Sequence, residues 1–283
     1  MEPESLATTL ILTSAMMHAV WNAVLKSGSD RTAMIGVMNV VGAVISLPFL
    51  MFVPFPSPEG WGWIGASITI HLVYQLSLAR MFAAADYSLV YPIARGIGPL
   101  VVTFVSVAFL AENLAPVDVA AILILISGAV VAGLASNSQT PHKANAQAFG
   151  WAGLVGLLIG FYTLVDGTAV KQMQPFSFIL WSNVLIMPFM LLFLHKTNSA
   201  GFNARMYKVW PKALGMTFFS YGGYTLALFA FRLGGLAEIA ALRETSILFA
   251  ALIGVFWLKE HLVHIRLVGI SLIAIGAIAL KLL

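Results

Sequence analysis

The sequence predicts an all-α, polytopic membrane protein with ten transmembrane helices, arranged as two inverted repeats of five. Three observations support this fold class. Hydrophobic residues make up 60% of the 283 residues and charged residues only 9%, whereas about a quarter of the residues of a soluble domain are charged. Ten apolar segments each approach the roughly 20 residues that cross a bilayer. The two halves of the chain also align with each other.

The helices are bounded by the charges and the Pro- and Gly-rich breaks between the apolar runs. The first run follows Glu2 and Glu4 and has no small-residue cleavage site, so we interpret it as a helix and not as a signal peptide. No connector is long enough to hold a soluble domain. The predicted spans are residues 6–25, 32–53, 61–83, 88–110, 117–135, 149–170, 176–194, 212–231, 237–258 and 265–283.

An internal duplication divides the chain. Residues 91–131 align without a gap on residues 239–279, and Arg95 falls on Arg243. Such self-similarity indicates repeated structural units. The predicted units are a first five-helix repeat at 1–135, a connector at 136–148 and a second five-helix repeat at 149–283.

The repeats must be inverted, because an odd number of helices in the first makes the second enter the membrane from the opposite side. Inverted repeats commonly place a substrate site near the midplane, at the interface between the repeats. Access to that site alternates as one bundle rocks against the other.

Each half contains a Glu-x-Leu segment, beginning at Glu112 and Glu260, followed by a last helix that carries a glycine. With the duplication and the chain length, this pattern resembles the EamA type of the drug/metabolite transporter superfamily along essentially the whole chain. One departure is Ala121, which stands where the second half has Gly269. The resemblance implies a multi-pass protein of the bacterial inner membrane, monomeric or homodimeric, without a cofactor. Its fifth and tenth helices would be peripheral or dimer-forming.

The side on which the termini lie stays open between two arguments. Ten helices place both termini on one side of the membrane. Ten Lys and Arg residues fall on the odd-numbered connectors and three on the other face, which favours termini outside the cell if positive charge lies inside. The family resemblance favours termini in the cytoplasm.

Two arginines lie within predicted spans, where an ionisable residue is costly and is therefore a functional candidate. We predict that Arg95 and Arg243 line the substrate path; the alternative is that each satisfies backbone carbonyls or a carboxylate between packed helices. Pro92, Gly96, Gly98 and Pro99 surround Arg95 in the segment "YPIARGIGP" and predict a hinge that breaks the fourth helix.

Two carboxylates are candidates for carrying a coupling proton, because a carboxyl group in a low-dielectric cavity can exchange protons near neutral pH. Glu244 follows Arg243, and Gly96 holds the equivalent place in the first half. We therefore expect Arg243 to be the charge-paired arginine. Asp166 is the other deep carboxylate. The alternatives are a permanent ion pair for Glu244 and a simple helix-end charge for Asp166.

Polar and aromatic residues recur on one face of several predicted helices, as the walls of a substrate cavity would require. Packing between helices is the alternative for each of them, with an interhelical hydrogen bond for Asn22 and an interfacial position for Trp21. The substrate-binding candidates besides the arginines are His18, Trp21, Asn22, His71, Tyr74, Gln75, Tyr91, Tyr162, Tyr221 and Tyr224.

The sequence also argues against several classes of function. It has no cysteine, its six histidines are scattered, and it has no nucleotide-binding motif. We therefore expect no metal site, no catalytic residues, no nucleic-acid partner and no enzymatic activity. The leading prediction is a secondary transporter of a small amphipathic metabolite with an anionic group, such as an amino acid or related organic anion, possibly coupled to protons. Efflux of cationic drugs and a membrane enzyme or non-transporting bundle are the alternatives.

Overall fold

The computed structural model describes residues 2–26, 28, 30–84, 87–134, 146–197, 202–256 and 264–282. In these ranges the chain is helical and contains no strand, so the all-α prediction is confirmed. The helices are α1 (Pro3–Lys26), α2 (Arg31–Ser46, continued by a 3-10 turn Leu47–Phe52), α3 (Pro58–Ala84), α4 (Tyr87–Phe109), α5 (Pro116–Leu134), α6 (Ala146–Gln172), α7 (Pro175–Thr197), α8 (Phe202–Leu233), α9 (Leu236–Leu242), α10 (Ser246–Phe256) and α11 (His264–Leu282).

These helices form the ten predicted segments of a polytopic membrane protein, because α9 and α10 are the two parts of one segment joined by a 3-10 turn at Arg243–Thr245. Within the described ranges, five helices are long and apolar enough to cross a membrane, and three shorter ones are also apolar. Large apolar side chains cover the outside of the bundle; Phe52 and Phe218 are examples. In a membrane these side chains face lipid.

Helix α8 begins at Phe202, about ten residues before the predicted span of 212–231. Val209 of α8 and Met34 of α2 belong to one buried apolar cluster, and Met206 of α8 packs against it. Arg205 also pairs with Asp30 at 2.6 Å. Apolar contacts at helical spacing therefore stabilise helix over residues 202–211, although the composition of this stretch is polar.

Contacts at both ends of the bundle show that successive segments run in opposite directions. At one end, the connector after α1 meets the start of α8 through Asp30 and Arg205. At the other, the start of α3 meets the end of α6, where Trp63 Nε1 donates to Gln172 Oε1 at 3.0 Å. The second five segments consequently run opposite to the first five.

The packing of the segments repeats when the two halves are exchanged. The contact of α1 with α8 becomes that of α6 with α3, and the contact of α2 with α8 becomes that of α7 with α3; all four are present. The contact of α4 with α6 likewise becomes that of the ninth segment with α1. The structure therefore contains two inverted repeats related by an approximate two-fold axis.

Helices α5 and α11, the last of each repeat, pack on each other within the chain. A Cβ atom added at Gly276 would lie 2.7 Å from the carbonyl oxygen of Ala121, and one added at Gly128 would lie 2.7 Å from that of Gly269. The two contacts are equivalents under exchange of the repeats. Small residues thus allow the close helix approach typical of membrane proteins.

The expected break in the fourth helix is absent, since α4 is continuous from Tyr87 to Phe109. Its glycines allow close packing instead: a Cβ at Gly98 would lie 2.6 Å from Ile159 on α6, and one at Gly96 would lie 2.8 Å from Val130 on α5. Pro99 is buried within the helix. The side chain of Pro92 lies outside the described residues.

The broken segment is in the second repeat, at the 3-10 turn that carries Arg243. There the Thr245 hydroxyl donates to the Leu242 carbonyl oxygen at 2.7 Å, and such local side-chain bonds compete with regular helix formation. The prediction that Arg95 lies on the broken helix is therefore wrong.

Candidate functional site

A cavity of about 140 Å³ lies in the middle of the bundle. About 10–15 Å³ of accessible volume holds one water, so the cavity has room for a molecule of on the order of ten non-hydrogen atoms. Its wall comes from α1, α2, α3, α6, α7, α8 and the 3-10 turn of the ninth segment. Both repeats contribute, as expected for a site between inverted repeats.

Many of the predicted substrate-binding residues line this cavity. They are His18, Trp21, His71, Tyr74, Gln75, Tyr162, Tyr221, Tyr224 and Arg243. Asn22 and Arg95 are not part of the lining, and neither are the carboxylates Asp166 and Glu244. The side chain of Tyr91 lies outside the described residues.

Arg95 is buried and held by the second repeat. Its Nε donates to Glu244 Oε2 at 3.0 Å, and its Nη2 contacts Glu244 Oε1 at 3.0 Å. Nη2 also donates to Ser246 Oγ at 3.0 Å. This two-pronged arrangement is the strongest geometry for a guanidinium and a carboxylate. Arg95 therefore matches the alternative in which an intramembrane arginine satisfies a carboxylate between packed helices.

Arg243 is the cation on the cavity wall. It is 7% exposed, and its Cζ lies 5.5 Å from the centroid of the Tyr224 ring, a distance that permits a cation–π interaction. Its Nε is buried without a hydrogen-bond partner. No described residue forms an ion pair with it, so the expectation that Arg243 is the charge-paired arginine is wrong.

The duplication explains this difference between the two arginines. Exchanging the repeats converts the contact of Arg95 with Glu244 into a contact of Arg243 with Gly96, because the positions are equivalent in the alignment. Gly96 has no side chain to offer. The second arginine consequently keeps its hydrogen-bonding capacity for another molecule.

Asp166 is fully buried behind the cavity wall and is bonded to two residues that line it. His71 Nε2 lies 2.9 Å from Asp166 Oδ2, and the Tyr224 hydroxyl donates to the same oxygen. The other carboxylate oxygen, Oδ1, is buried without a partner. Asp166 lies well inside α6, so the alternative of a simple helix-end charge does not describe it.

Aromatic rings form one part of the wall beside this carboxylate. The ring of His71 stacks on that of Tyr162, with centroids 4.4 Å apart. Tyr74 meets Tyr162 edge to face at 5.4 Å, and Tyr224 meets His71 in the same way at 5.9 Å. This arrangement fixes the imidazole ring and presents aromatic surface to the cavity.

On α1, His18 and Trp21 face the cavity while Asn22 does not. The Trp21 indole Nε1 donates to His18 Nδ1 at 3.1 Å, so Nδ1 has no proton and His18 is a neutral imidazole with its proton on Nε2. Asn22 Nδ2 donates to the His18 carbonyl oxygen at 2.8 Å. A hydrogen bond to a neighbouring helix was the alternative for Asn22 in the sequence analysis. In the structure this hydrogen bond is instead made within α1.

Helices α2 and α7 contribute amides that the sequence analysis missed, namely Asn39 and Asn183. Asn39 lies between Gln75 Oε1, to which its Nδ2 donates at 3.4 Å, and the hydroxyl of Tyr221, which donates to its Oδ1 at 3.5 Å. Asn183 Nδ2 donates to Ser46 Oγ at 3.2 Å. Each is the sole amide side chain in its predicted span, and this sequence feature could have identified it.

The first repeat also anchors the start of the broken segment. Glu112, in the connector after α4, accepts a hydrogen bond from the backbone N–H of Ala237 at 3.4 Å, in the first turn of α9. The adjacent α5 is capped by Asp118, whose Oδ2 accepts from Ala115 N at 2.9 Å. Glu112 therefore stabilises the start of a helix that belongs to the other repeat.

Positive and negative charges are therefore not balanced on the described wall of the cavity. Among the described lining residues Arg243 is a cation and no residue is a carboxylate. Within the described part of the chain there is no cluster of three residues that could hold a metal ion. The site offers a guanidinium, hydroxyls, amides and aromatic rings, a set that suits a small anion with an apolar portion.

The second half of the chain is similar to a known family. A sequence model of the EamA-like transporter family matches residues 147–282. A solved structure, titled only as the crystal structure of a protein, superposes with a TM-score of 0.73 at 14% identity and covers 98% of both chains; at that identity the likeness shows the fold alone. No curated protein sequence matches this chain.

Proposed function

Residues 147–282 belong to the EamA-like transporter family, part of the drug/metabolite transporter superfamily, and from that premise we propose that the protein is a secondary transporter of small amphipathic metabolites bearing a carboxylate. Alternating access between the inverted repeats would carry the substrate across the bacterial inner membrane. The family consists of membrane transporters; the substrate class is our proposal.

One observation supports the choice of an anion above all others: Arg243 is buried on the cavity wall without an ion-pair partner among the described residues. A buried charge without a partner is costly, and a guanidinium binds carboxylates through two parallel hydrogen bonds. A substrate carboxylate would accept hydrogen bonds from Arg243 as the Glu244 carboxylate does from Arg95.

The remaining wall suits the rest of such a substrate. His18 and Trp21 lie on α1, and Tyr74, Tyr162 and Tyr224 add further aromatic surface. These rings bury apolar groups and keep polar edges available. The volume limits the substrate to about the size of an amino acid or a small aromatic acid.

Exchange of four similar compounds by reconstituted protein tests the proposal. Phenylacetate, phenylalanine, phenethylamine and phenylacetamide share a phenyl ring and differ in charge. We expect proteoliposomes to exchange phenylacetate, and exchange of phenylalanine as well would extend the substrates to amino acids. Exchange of phenethylamine without phenylacetate would contradict the proposal and favour cation efflux. A well-folded protein that exchanges none of them would contradict transport of this size class.

Substitution of the arginine tests the site itself. Arg243→Gln removes charge-assisted hydrogen bonds of about 1.5–3 kcal/mol and should weaken phenylacetate binding about 10- to 100-fold. Arg243→Lys keeps the charge but loses the two-pronged geometry and should lie between the wild type and Arg243→Gln. Unchanged affinity in both variants would remove Arg243 from the binding site.

A further inference from the structure

We infer that the His71–Asp166 pair is a proton-binding site whose proton is taken up together with an anion at Arg243, so that one proton accompanies each monoanion through the cavity. The inference rests on the proposed function for the anion and adds the coupling ion, its site and its stoichiometry. Three features support it: the contact of the pair, its access to the cavity, and the balance of charge.

The contact defines where the proton binds. Asp166 is 0% exposed; its Oδ2 accepts a hydrogen bond from the Tyr224 hydroxyl and lies 2.9 Å from His71 Nε2. A neutral imidazole that donates through Nε2 has a bare Nδ1. The added proton therefore binds at Nδ1 of His71, and the carboxylate behind the ring stabilises the resulting imidazolium.

Access distinguishes His71 from the other candidates. The His71 side chain is 20% exposed and lines the cavity, whereas that of Asp166 is 1% exposed. The imidazole is thus the member of the pair that meets water entering the cavity. Glu244 is outside the lining and has both oxygens engaged by Arg95, so we assign the proton to the pair and not to Glu244.

The charges that face one another from the surrounding elements sum to zero in the empty cavity. Arg95 and Glu244 form an ion pair, and the remaining formal charges are one cation, Arg243, and one carboxylate, Asp166, which do not form an ion pair with each other. Helix α4 meets α6 through Ala94, Gly98 and Val101, which do not titrate. The other titratable groups around the pair are Tyr162 on α6, Tyr74 on α3, Tyr221 and Tyr224 on α8, and His18 on α1.

A proton on His71 raises the net charge to +1, and a monoanion on Arg243 returns it to zero. A cavity that holds only one of the two has a net charge in a low-dielectric interior, which is unfavourable. The two ligands therefore bind cooperatively, and each raises the affinity for the other by the same factor. His18 does not substitute for His71, because its Nδ1 already accepts from Trp21.

Binding of phenylacetate to purified wild-type protein tests this linkage without any substitution. A carboxylic acid with a pKa of about 4 is ionised throughout pH 6 to 9, so the ligand itself does not titrate. We expect uptake of up to one proton per phenylacetate, measured by calorimetry in buffers of different ionisation enthalpy. The dissociation constant should rise by up to tenfold per pH unit over the range in which the proton is no longer bound in the absence of ligand. Binding without proton uptake and without pH dependence would overturn the inference but leave the anion site intact.

Two variants test the assignment to this pair. His71→Gln retains an N–H donor for Asp166 but does not titrate, so proton uptake and pH dependence should disappear. Asp166→Asn leaves the empty cavity at +1, so phenylacetate should bind more tightly than to wild type at pH 8, with little pH dependence. A purely structural role for Asp166 predicts weaker binding instead. His195→Gln, at the exposed end of α7, is the matched control and should retain proton uptake.

Transport provides a second readout. Wild-type proteoliposomes should accumulate phenylacetate faster than protein-free liposomes, which the neutral acid crosses by itself, when the outside is acidic. A potassium diffusion potential should not drive uptake, because one proton and one monoanion carry no net charge. Uptake driven by the potential would contradict this stoichiometry. Failure of phenylacetate to bind at any pH would contradict the anion site itself and, with it, the linkage.

Discussion

Arg95 in the first repeat and Glu244 in the second form a two-pronged ion pair, with Nε–Oε2 and Nη2–Oε1 distances of 3.0 Å. The pair joins α4 to the 3-10 turn Arg243–Thr245, which contains both Glu244 and the second arginine. Since Gly96 occupies the place equivalent to Glu244, duplication followed by divergence leaves one arginine satisfied and one available. The same asymmetry is the basis for our proposal that Arg243, and not Arg95, binds the substrate.

The ion pair predicts a strongly non-additive effect on stability. Arg95→Gln or Glu244→Gln alone leaves a buried charge without its partner and should destabilise the protein by about 3–5 kcal/mol. The double variant removes both charges and should be more stable than either single variant. Thermal unfolding of the four proteins in detergent measures the coupling. Additive losses would show that the two side chains do not stabilise each other.

The interface of α5 with α11 predicts equal effects at equivalent glycines. A Cβ at Gly128 would lie 2.6 Å from Ile273 N, and one at Gly276 would lie 2.7 Å from Ala121 O. Gly128→Ala and Gly276→Ala should therefore each destabilise the protein by about 1–3 kcal/mol through overpacking.

Gly153→Ala on α6 is the matched control for these two variants, because a Cβ there would have no atom within 4 Å. It should leave the melting temperature unchanged or raise it slightly, since alanine favours the helix. A control that destabilises as much as the other two would assign the loss to glycine flexibility and not to close packing.

Ala111 predicts a stabilising substitution. It follows α4 with a φ of 54°, in the left-handed region that costs an L-residue about 1 kcal/mol or more. Ala111→Gly should raise the free energy of unfolding by about 1 kcal/mol. Ala111→Val should lower it, because a β-branched side chain is disfavoured there. A melting temperature that falls for Gly and rises for Val would contradict this argument.

The fold was predictable from the sequence because segment length and apolar composition determine the helices, and odd repeat size determines their inversion. Arg243 was also predictable as a cavity residue. The ion pair of Arg95 with Glu244 was not predictable, because it depends on how closely α4 approaches the ninth segment. Gly98 illustrates the difficulty: a glycine in a helix permits either bending or close packing, and only the contact with Ile159 decides.

Helices α2 and α7 show a different limit. The sequences around Pro48 and Pro188, "SLPFLMF" and "IMPFMLLF", resemble each other. Asn39 and Asn183, which line the cavity, are offset by one further helical turn from that alignment and so lie on similar faces. A search for lone amides in apolar runs would have found both.

Gly42 on α2 predicts a steric effect on the site that is separate from charge. A Cβ at this position would lie 2.2 Å from Cε2 and 2.6 Å from Cζ of Tyr221, so Gly42→Ala must displace that ring, which lines the cavity. We expect phenylacetate affinity to fall about tenfold, equivalent to about 1.4 kcal/mol. The loss should be the same at pH 6 and pH 8, because no titrating group changes.

Acetate provides the test of this steric cause, because it carries the same carboxylate without the phenyl ring. Its affinity should change much less than that of phenylacetate in Gly42→Ala. Gly62→Ala on α3, where a Cβ would meet no atom within 4 Å, should leave both affinities unchanged. An equal loss for acetate and phenylacetate would instead show that Tyr221 acts through Arg243, and the ring would then belong to the anion site and not to the apolar part of the cavity.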